Sequence, residues 1–218
     1  MTVWTGAVGG FGDLSADGWD LQSANYTRQM DRVTASSKTN NEVASNMADA
    51  RKNWTCTYKA KKNYAAAAPT IPPNIGASLG GVTLLSIAVS TVASDFATMT
   101  LTGHEHVDGT DGAGMRSVAH GIALTKGFGA CAFGTTGGES VSSGSATISC
   151  DHAETKDMDG DTSAGENSNP RIEIQAKWLG TGAHEPATYD ETDYSEETGN
   201  DNFLYSNISC VKPLAFAE

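Results

Sequence analysis

Apolar and polar residues alternate with a period of two through much of this chain, and that pattern restricts it to β structure. Successive side chains of a strand point to opposite faces, so alternation is what a half-buried strand requires and a helix cannot use. In Trp54-Thr-Cys-Thr-Tyr58 it sets Trp54, Cys56 and Tyr58 on one face, with Thr55, Thr57 and Lys59 on the other. Ala97–Thr102, Ser145–Cys150 and Arg171–Trp178 alternate as cleanly. Val82–Val92 and Phe203–Val211 are further strand candidates, and Val118–Leu124 is a weaker one.

Turn-rich segments separate these runs: Gly9–Gly18, Pro69–Gly81, Asp108–Gly114, Gly134–Gly144 and Gly180–Asn202. Only Asn41–Lys52 has helical spacing, with Asn40 or Asn41 as N-cap and Val43, Met47 and Ala50 on one stripe. Its Ser and Asn content leaves both a helix and an ordered loop open. Many short strands joined by Gly-rich turns predict a mainly-β fold: a β-sandwich or barrel with long polar loops and at most one short helix.

The 218 residues fit a single β-rich domain spanning 1–218. Within it, residues 19–62 and 145–179 resemble each other as strand–long-loop–strand units. Ser23-Ala-Asn-Tyr parallels Ser145-Ala-Thr-Ile, and each unit returns in a strand carrying Trp and Lys. Such a duplication and chance similarity both remain open.

Charge is divided along the chain. Residues 1–100 carry 8 Lys/Arg against 7 Asp/Glu, whereas residues 101–218 carry 6 against 19. Arg51, Lys52, Lys59, Lys61 and Lys62 crowd into one stretch, and acids concentrate in Asp151–Glu166 and Asp190–Asp201. This split favours contact between copies of the chain, with the five cations meeting acids of an adjacent subunit. Trp54, Tyr58 and Tyr64 lie among the cations, which raises a nucleic-acid surface. Alternation, however, puts the rings on the core face and the lysines opposite, and the isoelectric point is near 4.7.

No apolar run approaches the roughly 20 residues of a membrane-spanning helix. Val82–Val92 is the longest, and Thr83, Ser86, Ser90 and Thr91 interrupt it. The start of the chain lacks the basic and apolar regions of a secretory signal, so folding inside a cell is expected. Cys56, Cys131, Cys150 and Cys210 show no CxxC spacing and are expected as free thiols.

Two constellations could bind metal. His104-Glu-His106 places two imidazoles on one strand face, where Asp108, Asp111 or His120 would complete a zinc-type set. Asp157-Met-Asp-Gly-Asp161 puts Asp157, Asp159 and Asp161 at the spacing that opens a calcium loop. Thr162 and Ser168 then stand where that loop needs Gly and Glu, and a solvated hairpin turn is the simpler reading. No cofactor is expected, with calcium or zinc as the alternative. The chain contains no Walker loop, GxSxG or HExxH, so an enzyme is not expected.

Trp19-Asp-Leu21, Met30-Asp-Arg-Val-Thr34 and Asn53-Trp-Thr-Cys-Thr-Tyr58 together resemble the start of tail tube subunits of tailed bacteriophages. The block Leu101–His106, Arg116–Ile122 and Cys150–Asn167 is similar to uncharacterised proteins encoded among virion genes. The tube resemblance implies a β-sandwich subunit of the virion, assembled in the host cytoplasm. Its partners would be itself, in stacked and typically hexameric rings, and other virion proteins, with DNA passing through without specific binding. An acidic lining suits such a conduit, because cations would hold phosphates. Alternatives are a capsid decoration or head-completion protein and a metal- or calcium-dependent adhesin-like module.

Overall fold

The computed structural model describes residues 10–36, 38, 42–61, 69–92, 95–106, 116–124, 141–156, 162–180 and 189–216, with side chains except at 31–36, 42–50, 141, 156 and 191. Its elements, in chain order, are β1 (Trp19–Ser36), β2 (Glu42–Ala60), β3 (Asn74–Ile75), β4 (Ser78–Leu79), β5 (Val82–Val92) and β6 (Thr98–His106). They continue with β7 (Val118–Ala119), β8 (Val141–Lys156), β9 (Thr162–Leu179), β10 (Asp190–Thr198) and β11 (Leu204–Pro213). The described residues contain no helix, and the fold is mainly β as the alternation requires.

Nine strands form one antiparallel sheet in the order β1-β2-β6-β5-β8-β9-β11-β10, with β4 paired to the start of β5. A two-stranded sheet joins β3 to β7. β1 and β10 are the two ends of the main sheet, and no pairing among the described residues closes it into a barrel.

Alternation converts directly into a one-sided core. Trp54, Cys56 and Tyr58 on β2, Met99 and Leu101 on β6, and Leu84, Ile87 and Val89 on β5 are buried. So are Ala146 and Ile148 on β8, Ile172, Ile174 and Trp178 on β9, and Ile208 and Cys210 on β11. Ile87, Ile148 and Ile172 stand in register across β5, β8 and β9 and are all fully buried. Each such side chain contributes about 1.5–3 kcal/mol of burial. Phe11, Leu14 and Ile71 from outside the strands and Ile75 of β3 join the same cluster. Close approach there needs glycine: a Cβ on Gly103 would lie 2.1 Å from the Thr83 carbonyl oxygen and 3.1 Å from the Phe11 ring.

Three polar segments depart from expectation. Asn41–Lys52 is not a helix: from Glu42 on it belongs to β2, where Asn46 pairs with Val33 and Ser45 with Thr34. Ser and Asn are weak helix formers, and a long antiparallel partner supplies the backbone hydrogen bonds instead. Within 19–62 and 145–179, β1 pairs with β2 and β8 with β9 in long antiparallel ladders, and the described parts of the polar runs expected as loops lie largely within the strands. Much of Asp151–Glu166 is thus paired strand. Likewise Asp190–Thr198, expected within a turn-rich segment, is β10, held along β11 from Asp190↔Val211 to Thr198↔Leu204.

No helix among the described residues is long and apolar enough to cross a membrane.

Candidate metal centre

β5 begins at Val82, but its neighbours continue past it. Thr83 of β5 pairs with His104, while β6 runs on to His106 and β8 to Lys156. β5 pairs with β8 only from Ser86↔Ser149 on, so before Ser86 no described ladder ties β5 to β8 and the side chains of β6 and β8 can meet. His104 and His106 share a face of β6 by their i, i+2 spacing; His152 and Glu154 do the same on β8.

The four side chains converge on one atom. Glu154 Oε1 lies 2.9 Å from His152 Nε2, 3.2 Å from His106 Nε2 and 3.8 Å from His104 Nε2. Their exposures are only 3% for each of His104 and His106, 8% for His152 and 7% for Glu154. The His104 ring packs against His152 at 4.4 Å between centroids and edge-on to His106 at 5.2 Å. Ligand atoms of His104, His152 and Glu154 all fall within 4.8 Å of one another.

A second layer fixes these groups. Asn167, fully buried on β9, donates from Nδ2 to the Arg116 carbonyl at 3.1 Å. Its Oδ1 therefore faces His152 Nδ1, at 3.0 Å, as an acceptor, so that Nδ1 carries a proton. Gly76 keeps this corner open: a Cβ there would stand 2.2 Å from the Arg116 oxygen and 2.6 Å from Asn167 Nδ2. On the other side, Arg51 Nη1 donates to Glu154 Oε2 at 3.2 Å, and Arg51 Nη2 to Gln29 Oε1 at 3.1 Å. Burial pushes the Glu154 carboxyl up, but the His152 hydrogen bond and the charges of His106, Arg51 and His104 outweigh it. The group is held below the ordinary glutamate range.

Of the residues singled out from the sequence, His104 and His106 are brought together. His120 does not complete the set. It is buried elsewhere, with Nε2 donating to the Pro72 carbonyl at 2.7 Å and Nδ1 accepting from Ile122 N–H at 3.0 Å. Asp108, Asp111, Asp157, Asp159 and Asp161 lie outside the described residues. Sequence reasoning missed His152 and Glu154. Their signal was a His-x-acid step at the two-residue spacing of His104 and His106, on a strand that also alternates.

The cations have partners within the chain. Besides Arg51, Lys52 bonds Glu105 at 3.3 Å, Lys59 bonds Asp95 at 3.0 Å, and Lys61 lies 4.0 Å from Asp20 and donates to the Ser15 carbonyl. Lys62 and Tyr64 are outside the described residues. Trp54 and Tyr58 are core residues, so neither ring is available to stack on a base. No protein-family model matches the chain, and no curated protein is significantly similar to it.

Proposed function

We propose that this chain is a structural virion subunit, a tail tube protein that joins copies of itself into rings and stacks them around an acidic DNA conduit. The observation that carries the reading is the open sheet: β1 and β10 each pair with one neighbour only among the described residues. Monomeric proteins usually shorten, cover or charge such edges. β1 spans 18 residues, about 60 Å of strand. It leaves Leu21, Tyr26 and Met30 exposed.

The opposite edge differs in composition. β10 presents Asp190, Asp193, Glu196 and Glu197 and carries no Lys or Arg. Unlike edges favour head-to-tail contact, which closes into a ring when the rotation between copies closes. Lys59 and Lys61 fit a role at such a contact, because their partners Asp95 and Asp20 are exposed and exchangeable. Arg51 and Lys52 would support it from within the sheet. Acids left facing a lumen would repel phosphate.

Negative-stain microscopy of the purified full chain tests the reading. Rings or hollow tubes would support it. Isolated trimers would favour a capsid decoration protein, and a monomer under all conditions would overturn assembly. A second reading, a metal-dependent binding module, is favoured by one observation, the convergence of His104, His106 and His152 on Glu154.

A further inference from the structure

We propose that His104, His106, His152 and Glu154 form a structural site for a divalent first-row transition metal of the zinc type, which ties β6 to β8 beyond the start of β5. This does not depend on the assembly reading.

Ligand type selects the ion. Three imidazoles and one carboxylate suit zinc, cobalt or nickel, whereas calcium and magnesium need mostly oxygen donors. The separations fit as well. A tetrahedral ion with bonds of about 2.0–2.1 Å holds its ligand atoms about 3.3 Å apart. Glu154 Oε1 is 2.9, 3.2 and 3.8 Å from the three Nε2 atoms, a range that brackets that value. Ligand atoms of His104, His152 and Glu154 already lie within 4.8 Å of one another, and His106, bonded to the same oxygen, would swing inward to take the fourth place.

The hydrogen bonds around the site point the same way. Asn167 orients the His152 ring through Nδ1–H and turns Nε2 toward a carboxylate oxygen 2.9 Å away. A metal ion between these two atoms would take the place of the proton that Nε2 shares with the carboxylate without it. An imidazole fixed through its far nitrogen by an amide or carboxylate oxygen is the usual outer support of a metal ligand. Arg51 occupies Glu154 Oε2 and leaves Oε1 to the site. With His106 drawn in as the fourth donor the ion would have no open position for substrate, which makes it a staple and not a catalyst.

Position explains the use of a staple. The β1–β2 and β8–β9 hairpins both continue past Val82, to Ser36↔Glu42 and Lys156↔Thr162, where β5 no longer joins them. A metal bond between β6 and β8 would hold that end of the sheet where ladder hydrogen bonds stop.

The test uses the full chain stripped with EDTA, then titrated with Co(II) and, by calorimetry, with Zn(II) at pH 7.5. The expected results are one ion per chain, the visible absorption of tetrahedral cobalt, and a higher melting temperature with zinc. His152→Ala should weaken zinc by at least about 100-fold, and Asn167→Leu by about 10–100-fold as an outer-support change. His120→Gln should leave affinity unchanged. Folding of each stripped variant is checked by circular dichroism, and the cobalt spectrum of the unaltered chain needs no variant. The proposal is overturned by a chain that takes up no stoichiometric Co(II) or Zn(II), with nitrogen NMR showing a doubly protonated His152 ring. Equal affinity in folded His152→Ala would overturn it too.

Discussion

Arg51 on β2 reaches Glu154 on β8, with Nη1 to Oε2 at 3.2 Å, although β6 and β5 lie between those strands in the sheet order. Three strand spacings of a flat sheet would set β2 and β8 about 14 Å apart. The contact exists because β5 begins at Val82, so that at the level of Arg51↔His106, among the described strands, only β6 stands between β2 and β8. A long guanidinium can then span the gap to the carboxylate that also gathers three histidines.

Glu154→Gln should therefore destabilise the metal-free chain. It removes a buried acceptor of charge-assisted bonds from His152 and Arg51, a loss of about 1–3 kcal/mol given that Arg51 keeps some solvent contact. Urea denaturation in EDTA measures it. A cost no larger than that of the exposed Glu173→Gln would show that the cluster adds nothing to stability.

Ile148→Ala should cost about 2–5 kcal/mol, because Ile148 is fully buried between Ile87 and Ile172 and its neighbours cannot collapse into the cavity. Thr147→Ala, on the opposite face of the same strand, should change stability by about 0.5 kcal/mol or less. Equal urea midpoints for the two variants would contradict the one-sided core.

The strands with alternating chemistry were legible: Trp54–Tyr58 and Arg171–Trp178 were expected as strands and lie within β2 and β9. Those without it were not. Described β10 side chains are exposed or half-buried, and the first half of β9 buries Gly165 and Asn167, so neither carries an apolar period. Their pairing is set by the neighbouring strand, which a local pattern does not contain. The same limit applies to the site. His104-x-His106 could be read from spacing, but its junction with His152-x-Glu154 depends on where β5 starts.

Acid should weaken the fold through His120. Burial pushes its pKa below the ordinary 6.5, and the Pro72 carbonyl bond opposes this only in part. A depressed folded pKa leaves its stability intact above about 6.5 and loses it as pH falls from there through the folded value. His120→Gln keeps a donor for Pro72 but loses the acceptor for Ile122 N–H, so at pH 8 it should be about 1–2 kcal/mol less stable. That gap should narrow by pH 5, as followed by urea midpoints across pH. A constant gap would show that His120 does not titrate with unfolding.

Cys56, Cys150 and Cys210 are buried as thiols. Burial, with Asp151 adding to it against Arg171, pushes the Cys150 thiol up to about 11, so thiolate is scarce at pH 8. Iodoacetamide should leave all three unmodified in the native chain and label them on unfolding, as read by peptide mass spectrometry. Rapid native labelling of Cys150 would place it outside the core.

Assembly through the sheet edges is tested most directly by sedimentation velocity of the full chain over a wide concentration range, with Tyr26→Lys on β1 alongside. A concentration-dependent shift from monomer to ring-sized and larger species is expected, and Tyr26→Lys, at an exposed edge position, should reduce it while keeping the monomer folded. A chain that sediments as a monomer at every concentration, with or without the substitution, would contradict the account.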